Sequence, residues 1–411
     1  MRIFAGPSVP GRMAKALAAV GAVGAILIAM AGVALPASAK SDDPTYSVRQ
    51  ILSGTSLRHW YTRAGSSVRH SEPLTQPDDI TLLNGHLFTG FQNGVGPQGQ
   101  ASPDGNRDST IVEFTLNGHV IRQWDVRGKC DGLTANPATG LVVATVNEDA
   151  NSSLYTINPS TGQVLHYIYQ VPPPPHSASM SLRERFTSVL PHNGGTDAIS
   201  FYRGMMLISA SAPGTTGAAA PNPAYPAVYS VTLNSALHIA FVRPLFYDES
   251  DATAANGPHF GRTVRLALTD PDSNEVVPGF ESRFAGDFML TSQGDKEQIY
   301  VSGAGSRHQH LWVLGLSQSV DDTAWSTSWD GAFFAADHDG DTIDRISGLF
   351  WPGTAFVAVT PCDANNAPAT CPGPGFPANY LGKLNMFTGQ ITPVSLRGPR
   401  LEPQGMIFVA F

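Results

Sequence analysis

Beyond residue 40 the chain is built from short apolar strings separated by polar turns. The strings are bounded by Gly, Pro, Asn and Asp. No stretch there places apolar side chains at the 3.6-residue spacing of an amphipathic helix. Short strands at regular spacing predict an all-β sandwich, barrel or propeller.

The strings recur in groups, which selects the propeller. Ser319 to Ile346 reads as an Asp turn, a strand at Asp322 to Trp325, an aromatic strand at Ala332 to Ala336, an acidic turn, and a strand at Thr342 to Ile346. Lys129 to Ile157 repeats this order, and Asn158 to Tyr167 adds a fourth strand. Gln76 to Val126 forms a first unit, and another begins at Gly195. Weaker copies follow at Val264 to Val277, Asp287 to Ser302 and Thr354 to Leu396. Seven units of roughly 50 residues fit four-stranded blades. The fourth and fifth are compressed, so six blades are the alternative. Strand material at residues 46–62 and at Glu402 to Phe411 predicts a ring closed by pairing of the N- and C-terminal strands, which hides open edges.

Residues 1–39 read as a signal peptide: basic Arg2, Arg12 and Lys15, an apolar run from Ala16 to Leu35, then Ala37-Ser38-Ala39. Residues 40–411 are then one propeller domain, secreted, with no membrane contact once the leader is removed. Its charge is (25 − 3) − 33 = −11. Such an acidic surface repels nucleic acid. A monomer acting on an extracellular ligand or protein is expected. In an exported protein Cys362 and Cys371, which bracket a Pro-rich loop, are expected to form a disulfide, and Cys130 to be a buried thiol.

The Ser319 to Ile346 unit resembles an NHL-type blade, and the Asp131-Gly132-Leu133 start resembles blades of the gluconolactonase/senescence-marker-protein group. That resemblance implies a divalent ion at the channel mouth, held by a Glu, an Asn and an Asp, and lactone hydrolysis there. No Glu opens the first blade, which counts against a lactonase.

Acidic turns supply the candidate chemistry. Blade entries carry Asp79, Asp131, Asp197 and Asp322, with Glu402 and Gln404 at the last. Turns between second and third strands carry Asn147, Glu148 and Asp149; Asp270 and Asp272; Asp295; and Asp337, Asp339 and Asp341. Hard oxygen ligands of this kind suit Ca²⁺ or another divalent cation. Asp79, Asp131, Asn147, Asp197 and Asp322 form the candidate metal set at the mouth; Asp337, Asp339 and Asp341 form a second in one turn. The competing reading has each Asp hydrogen-bonding nearby backbone amides. His192, just before Asp197, joins Asp131 and Asp197 as a catalytic candidate, against its reading as a loop histidine. His259 and His338 have weaker claims. The scattered tryptophans read as packing between blades.

No nucleophile elbow, zinc-protease, phosphate-loop, dinucleotide or haem motif is present. The first functional expectation is therefore a ligand- or protein-binding module. The alternative is a metal-dependent hydrolase or lyase at the acidic mouth.

Overall fold

A computed structural model describes residues 46–170, 190, 192, 194–211, 225–361 and 379–411. The leader and the Cys362–Cys371 loop lie outside the described residues. Within them the chain is almost wholly strand, and its one helical element is the single turn Gly54–Ser56.

The strands sort into six radial sheets, named here from the innermost strand outward. Sheet I is Pro77–Leu83, His86–Phe91, Asp108–Thr115 and Val120–Arg127. Sheet II is Cys130–Asn136, Leu141–Val146, Ser153–Asn158 and Gln163–Gln170. Sheet III is Ile199–Tyr202, Met205–Ser209, Pro226–Asn234 and Ile239–Tyr247, and its outer strand pairs in parallel with that of sheet II. Sheet IV is Pro271–Val276, Phe288–Ser292, Glu297–Ser302 and His310–Gly315, extended outward by Asp251–Ala254 and Thr263–Arg265. Sheet V is Val320–Trp325, Ala355–Val359, Tyr380–Leu384 and Ile391–Pro393. Sheet VI is Pro403–Ala410, Gly331–Asp337, Thr342–Ser347, Tyr46–Ser53 and Leu396–Arg397. A small hairpin, Arg58–Thr62 with Arg69–Pro73, stands apart.

The six innermost strands touch in a closed cycle, I to VI and back to I. Among the described residues six sheets contribute an innermost strand to that cycle. The compressed fourth and fifth units belong to one sheet.

The core is six apolar seams, one between each pair of adjacent sheets. A middle strand therefore feeds two seams. In Gly331–Asp337, Phe333 and Ala335 pack toward sheet V, while Ala332, Phe334 and Ala336 pack toward sheet I. Both faces are buried, so such strands read as continuous apolar runs. Cys130 is buried in the seam between sheets I and II.

Two expectations need correction. The Ser319 to Ile346 unit is not one blade. Its first strand pairs with Ala355–Val359 in sheet V, and its other two lie in sheet VI. Local spacing cannot reveal this, because the loop Ser326–Asp330 crosses from one sheet to the next. Closure also differs in detail. Both chain ends share sheet VI as expected, but Gly331–Asp337 and Thr342–Ser347 separate the Tyr46–Ser53 strand from Pro403–Ala410.

Neighbouring sheets are also clamped by polar contacts at the start of each inner strand. Asp79 accepts the amides of Ile80 and, across the sheet gap, of Leu133, both at 2.7 Å. Asp322 does the same for Thr323 and Met406, both at 2.6 Å. Asp322→Ala should cost about 3 kcal/mol in urea unfolding, because buried amides lose a charged acceptor. Asp339→Ala, on an exposed turn, should stay within about 0.5 kcal/mol.

Candidate functional site

Every inner strand opens with the same irregularity. In sheets I, II, IV, V and VI, three steps along the inner strand face two along its partner, as where Pro77 and Ile80 pair with Phe91 and Thr89. In sheet III both Asp197 and Ala198 bond to Ser209. Each is a β-bulge, which kinks the strand and re-aims a side chain.

The bulged pairs are Asp78-Asp79, Asp131-Gly132, Asp197-Ala198, Asp272-Ser273, Asp321-Asp322 and Gln404-Gly405. Their two positions have different duties. The second meets a neighbouring sheet. A Cβ on Gly132 would lie 2.3 Å from the Asp197 carbonyl oxygen, and one on Gly405 would lie 2.4 Å from that of Asp78. Ser273 donates to the Asp321 carbonyl, and Asp79 and Asp322 make the clamps described above.

The first position faces the mouth. Asp78 feels the charges of Asp131, Asp197 and Asp321, although the four residues belong to four different sheets. Asp272 likewise feels Asp197 and Asp321. The mouth is thus a ring of Asp78, Asp131, Asp197, Asp272 and Asp321, completed by Gln404.

Of the residues singled out from the sequence, Asp131 and Asp197 lie in this ring, Asp79 and Asp322 stand one residue beyond it, and Asp272, expected in a turn between second and third strands, lies in the inner strand Pro271–Val276. Aligning each strand on the residue after the bulge (Ile80, Leu133, Ile199, Asn274, Thr323, Met406) would have found the ring.

One cation serves this ring. Lys129, unremarked in the sequence reading, places its Nζ 2.8 Å from Asp131 Oδ1 and also on Glu148. Burial alone would lower its pKa, but the Asp131, Glu148 and Asp78 carboxylates override that and hold it well above the usual lysine value. Asn147 sets the lysine in place: its Oδ1 accepts the Lys129 amide at 3.0 Å from a left-handed turn residue, φ 69°. Gln92 also donates to Asp131 Oδ1, at 3.1 Å. Asp131 Oδ2 and Gln404 Oε1 are buried with no partner among the described residues.

Burial raises Asp78, Asp131 and Asp272 well above the ordinary carboxylate range, with neighbouring carboxylates adding to it. Lys129 opposes the shift at Asp78 and Asp131. Asp197 is pushed up to about 7, by burial first and then by Glu148. Asp197 and Asp272 act on each other as neighbours: their contact lowers Asp197 and raises Asp272, on top of what burial does to both.

The other candidates are engaged elsewhere. His192 is fully buried; its Nε2 lies 2.7 Å from the Gly195 carbonyl and its Nδ1 2.7 Å from the Tyr229 hydroxyl. Burial lowers it to about 4, so it stays neutral and ties its loop to sheet III. Asp337 accepts the Gly340 and Glu402 amides, and Asp341 accepts the Gln76 amide. Asp339 pairs with His338. Three turn carboxylates with three separate sets of partners do not build an ion cage.

The mouth does not fit the expected divalent ion either. Among the described residues no three His, Cys, Asp or Glu side chains are placed to hold a metal. The ammonium of Lys129 sits on Asp131, the carboxylate such an ion would need most.

No family model and no curated relative matches the chain. Matching solved structures include the periplasmic gluconolactonase of Pseudomonas aeruginosa, at 11% identity and a TM-score of 0.43, covering 89% of this chain and 99% of that one. A streptogramin B lyase matches at 13% identity and 0.40, covering 88% and 91%. A protein from Lactobacillus plantarum matches at 10% and 0.41, covering 89% and 99%. Likeness at this level transfers no activity.

The raised carboxyls make stability pH-dependent. A group whose folded pKa lies above its unfolded value stabilises the fold when protonated. That stability is complete below the unfolded value and is lost as pH rises through the folded one. For Asp197 the window runs from 3.8 to about 7. The melting temperature should fall across it, and Asp197→Asn should flatten the fall. Lys129→Met should destabilise more at pH 8 than at pH 5, because only ionised carboxylates need the ammonium. Equal losses at both would refute the assigned role of Lys129.

Proposed function

We propose that the acidic mouth hydrolyses small polyhydroxylated esters or lactones by carboxyl acid–base chemistry. The observation that carries this is the Asp272–Asp197 pair: two buried neighbouring carboxyls at the mouth, one pushed up to about 7 and the other held well above the ordinary carboxylate range. A base poised near neutrality beside an acid that keeps its proton is what acyl transfer to water requires.

In this reading Asp197 takes a proton from water as the water oxygen attacks the carbonyl carbon. The carbon–oxygen ester bond breaks, and Asp272 gives its proton to the leaving alkoxide. The products are an acid and an alcohol. Asp197 then holds the proton taken from water while Asp272 is ionised, and transfer of that proton from Asp197 to Asp272 restores both groups. Asp131 Oδ2 and Gln404 Oε1, buried without partners, accept substrate hydroxyls; an analogue lacking those hydroxyls would leave both acceptors unsatisfied. No step passes through a metal.

Of the two functions expected from sequence, this retains the hydrolase and gives up its ion. A panel of sugar-acid lactones and aryl esters tests it. Turnover should follow a bell-shaped pH profile, rising as Asp197 ionises near pH 7 and falling when Asp272 loses its proton. Asp197→Asn and Asp272→Asn should each lower kcat by about 10²–10⁴-fold, and EDTA should change nothing. Activity abolished by EDTA and restored by Ca²⁺ would reinstate the metal-dependent hydrolase. No turnover on the whole panel would leave the binding module.

A further inference from the structure

The segment that leads into Asp197 is built onto sheet II as well as onto its own sheet. A Cβ on Gly195 would collide with the carbonyl oxygens of both Asn147 and Glu148, so only glycine lets the chain pass there. The Thr196 amide donates to Ser152 Oγ at 2.9 Å, and Ser152 Oγ donates to the Asn147 carbonyl. Thr145 Oγ1 donates to the Asp197 carbonyl at 2.5 Å, and Gly132 lies against the same oxygen. The backbone that carries the Asp197 side chain is thus fixed by the hairpin that carries Glu148.

The turn of that hairpin is gripped from sheet I. The Asp149 amide donates to the Pro97 carbonyl at 3.1 Å, and Asn151 Nδ2 donates to the Gln98 carbonyl at 3.3 Å. Lys129 Nζ then bridges the Glu148 carboxylate to Asp131, whose neighbour Gly132 touches Asp197. Glu148, Lys129 and Asp197 are therefore one cluster, with backbones locked together across three sheets.

Six charged groups bear on Asp197. Glu148, Lys129 and Asp131 come from sheet II, Asp78 from sheet I, Asp272 from sheet IV and Asp321 from sheet V. Burial acts first, and Glu148 is the next strongest influence that makes Asp197 keep its proton; Lys129 works in the opposite sense. The two members of one ion pair thus push the same carboxyl in opposite directions.

We propose that the Glu148–Lys129 ion pair is a positioning device for Asp197: Glu148 strengthens that carboxylate as a base, and Lys129 limits the effect while holding Glu148 in place. Its catalytic meaning rests on the hydrolase reading; the charge coupling itself needs no turnover. Both residues act through Asp197 and are positioning residues. An ordinary aspartate is too weak a base to take a proton from water efficiently near neutrality. A fixed negative neighbour corrects this, and a fixed positive one keeps the carboxyl from remaining protonated at working pH. A pair that served only as a strap would hold the hairpin in place without setting the pH at which Asp197 ionises.

Two readouts test the pair. One is the acid limb of the pH–rate profile on the lactone or ester turned over. The other is the carboxyl carbon-13 signal of Asp197 in protein labelled at aspartate, identified by its absence from Asp197→Asn. Glu148→Gln removes a negative neighbour and should move both to lower pH by about one pH unit. It should also lower the plateau kcat about threefold, because a weaker base takes the proton less readily. Lys129→Met should move both to higher pH, and Lys129→Arg should bring them back toward the parent value. Where Lys129→Met does not fold, Glu148→Gln decides alone. An Asp197 titration unmoved in Glu148→Gln, or shifted the same way by both changes, would overturn the proposal. No turnover on any substrate, with the Asp197 signal moving as stated, would remove the hydrolase and leave the hold of the pair on Asp197 standing.

Discussion

The bulge that opens each inner strand is the constraint on which the rest of the molecule depends. It inserts one extra residue, so two consecutive side chains sit where an unbroken strand would place one. The second touches another sheet and must be small, as Gly132 and Gly405 are, or must bring its own acceptor, as Asp79 and Asp322 do. The first is then turned to the mouth. Sheet-to-sheet attachment and the charge of the opening are two outcomes of a single backbone kink, repeated around the ring.

This coupling explains why the ring tolerates so much negative charge. Moving the aspartates outward would relieve their repulsion, but it would also pull the second positions away from the neighbouring sheets. The chain instead keeps protons on several carboxyls and sets Lys129 beside Asp131 and Glu148. Asn147, holding the Lys129 amide from a left-handed turn, fixes where that positive charge stands. The cost of packing like charges together becomes a set of carboxyl groups that exchange protons near neutrality.

Much of this could be read from the sequence. Strand strings, turn residues and unit order revealed an all-β propeller, and Asp131 and Asp197 stood among the carboxylates at its strand entries. The fourth and fifth units are hard to separate in the sequence because sheet IV spends two of its strands, Asp251–Ala254 and Thr263–Arg265, on its outer edge, where they resemble part of another unit. The Asp79 and Asp322 assignments slipped because a bulge shifts side-chain alternation by one residue, and alternation alone does not announce a bulge. Lys129 was invisible for a different reason. Its role depends on Glu148, which a hairpin brings close. Trp329 and Trp351, read from the sequence as packing between blades, instead pack on each other and face solvent.

The crossing between sheets V and VI has a consequence for how the molecule comes into being. The chain lays the inner strand of sheet V, leaves to place two strands in sheet VI, returns for three more in sheet V, and finishes in sheet VI. These two blades are woven rather than stacked. During synthesis neither can be completed before the other, and the inner edge of Gly331–Asp337 waits for Pro403–Ala410, which follows much later in the chain. Loss of Pro403–Ala410 would therefore disturb both woven blades, where loss of the closing strand of an ordinary blade would disturb one.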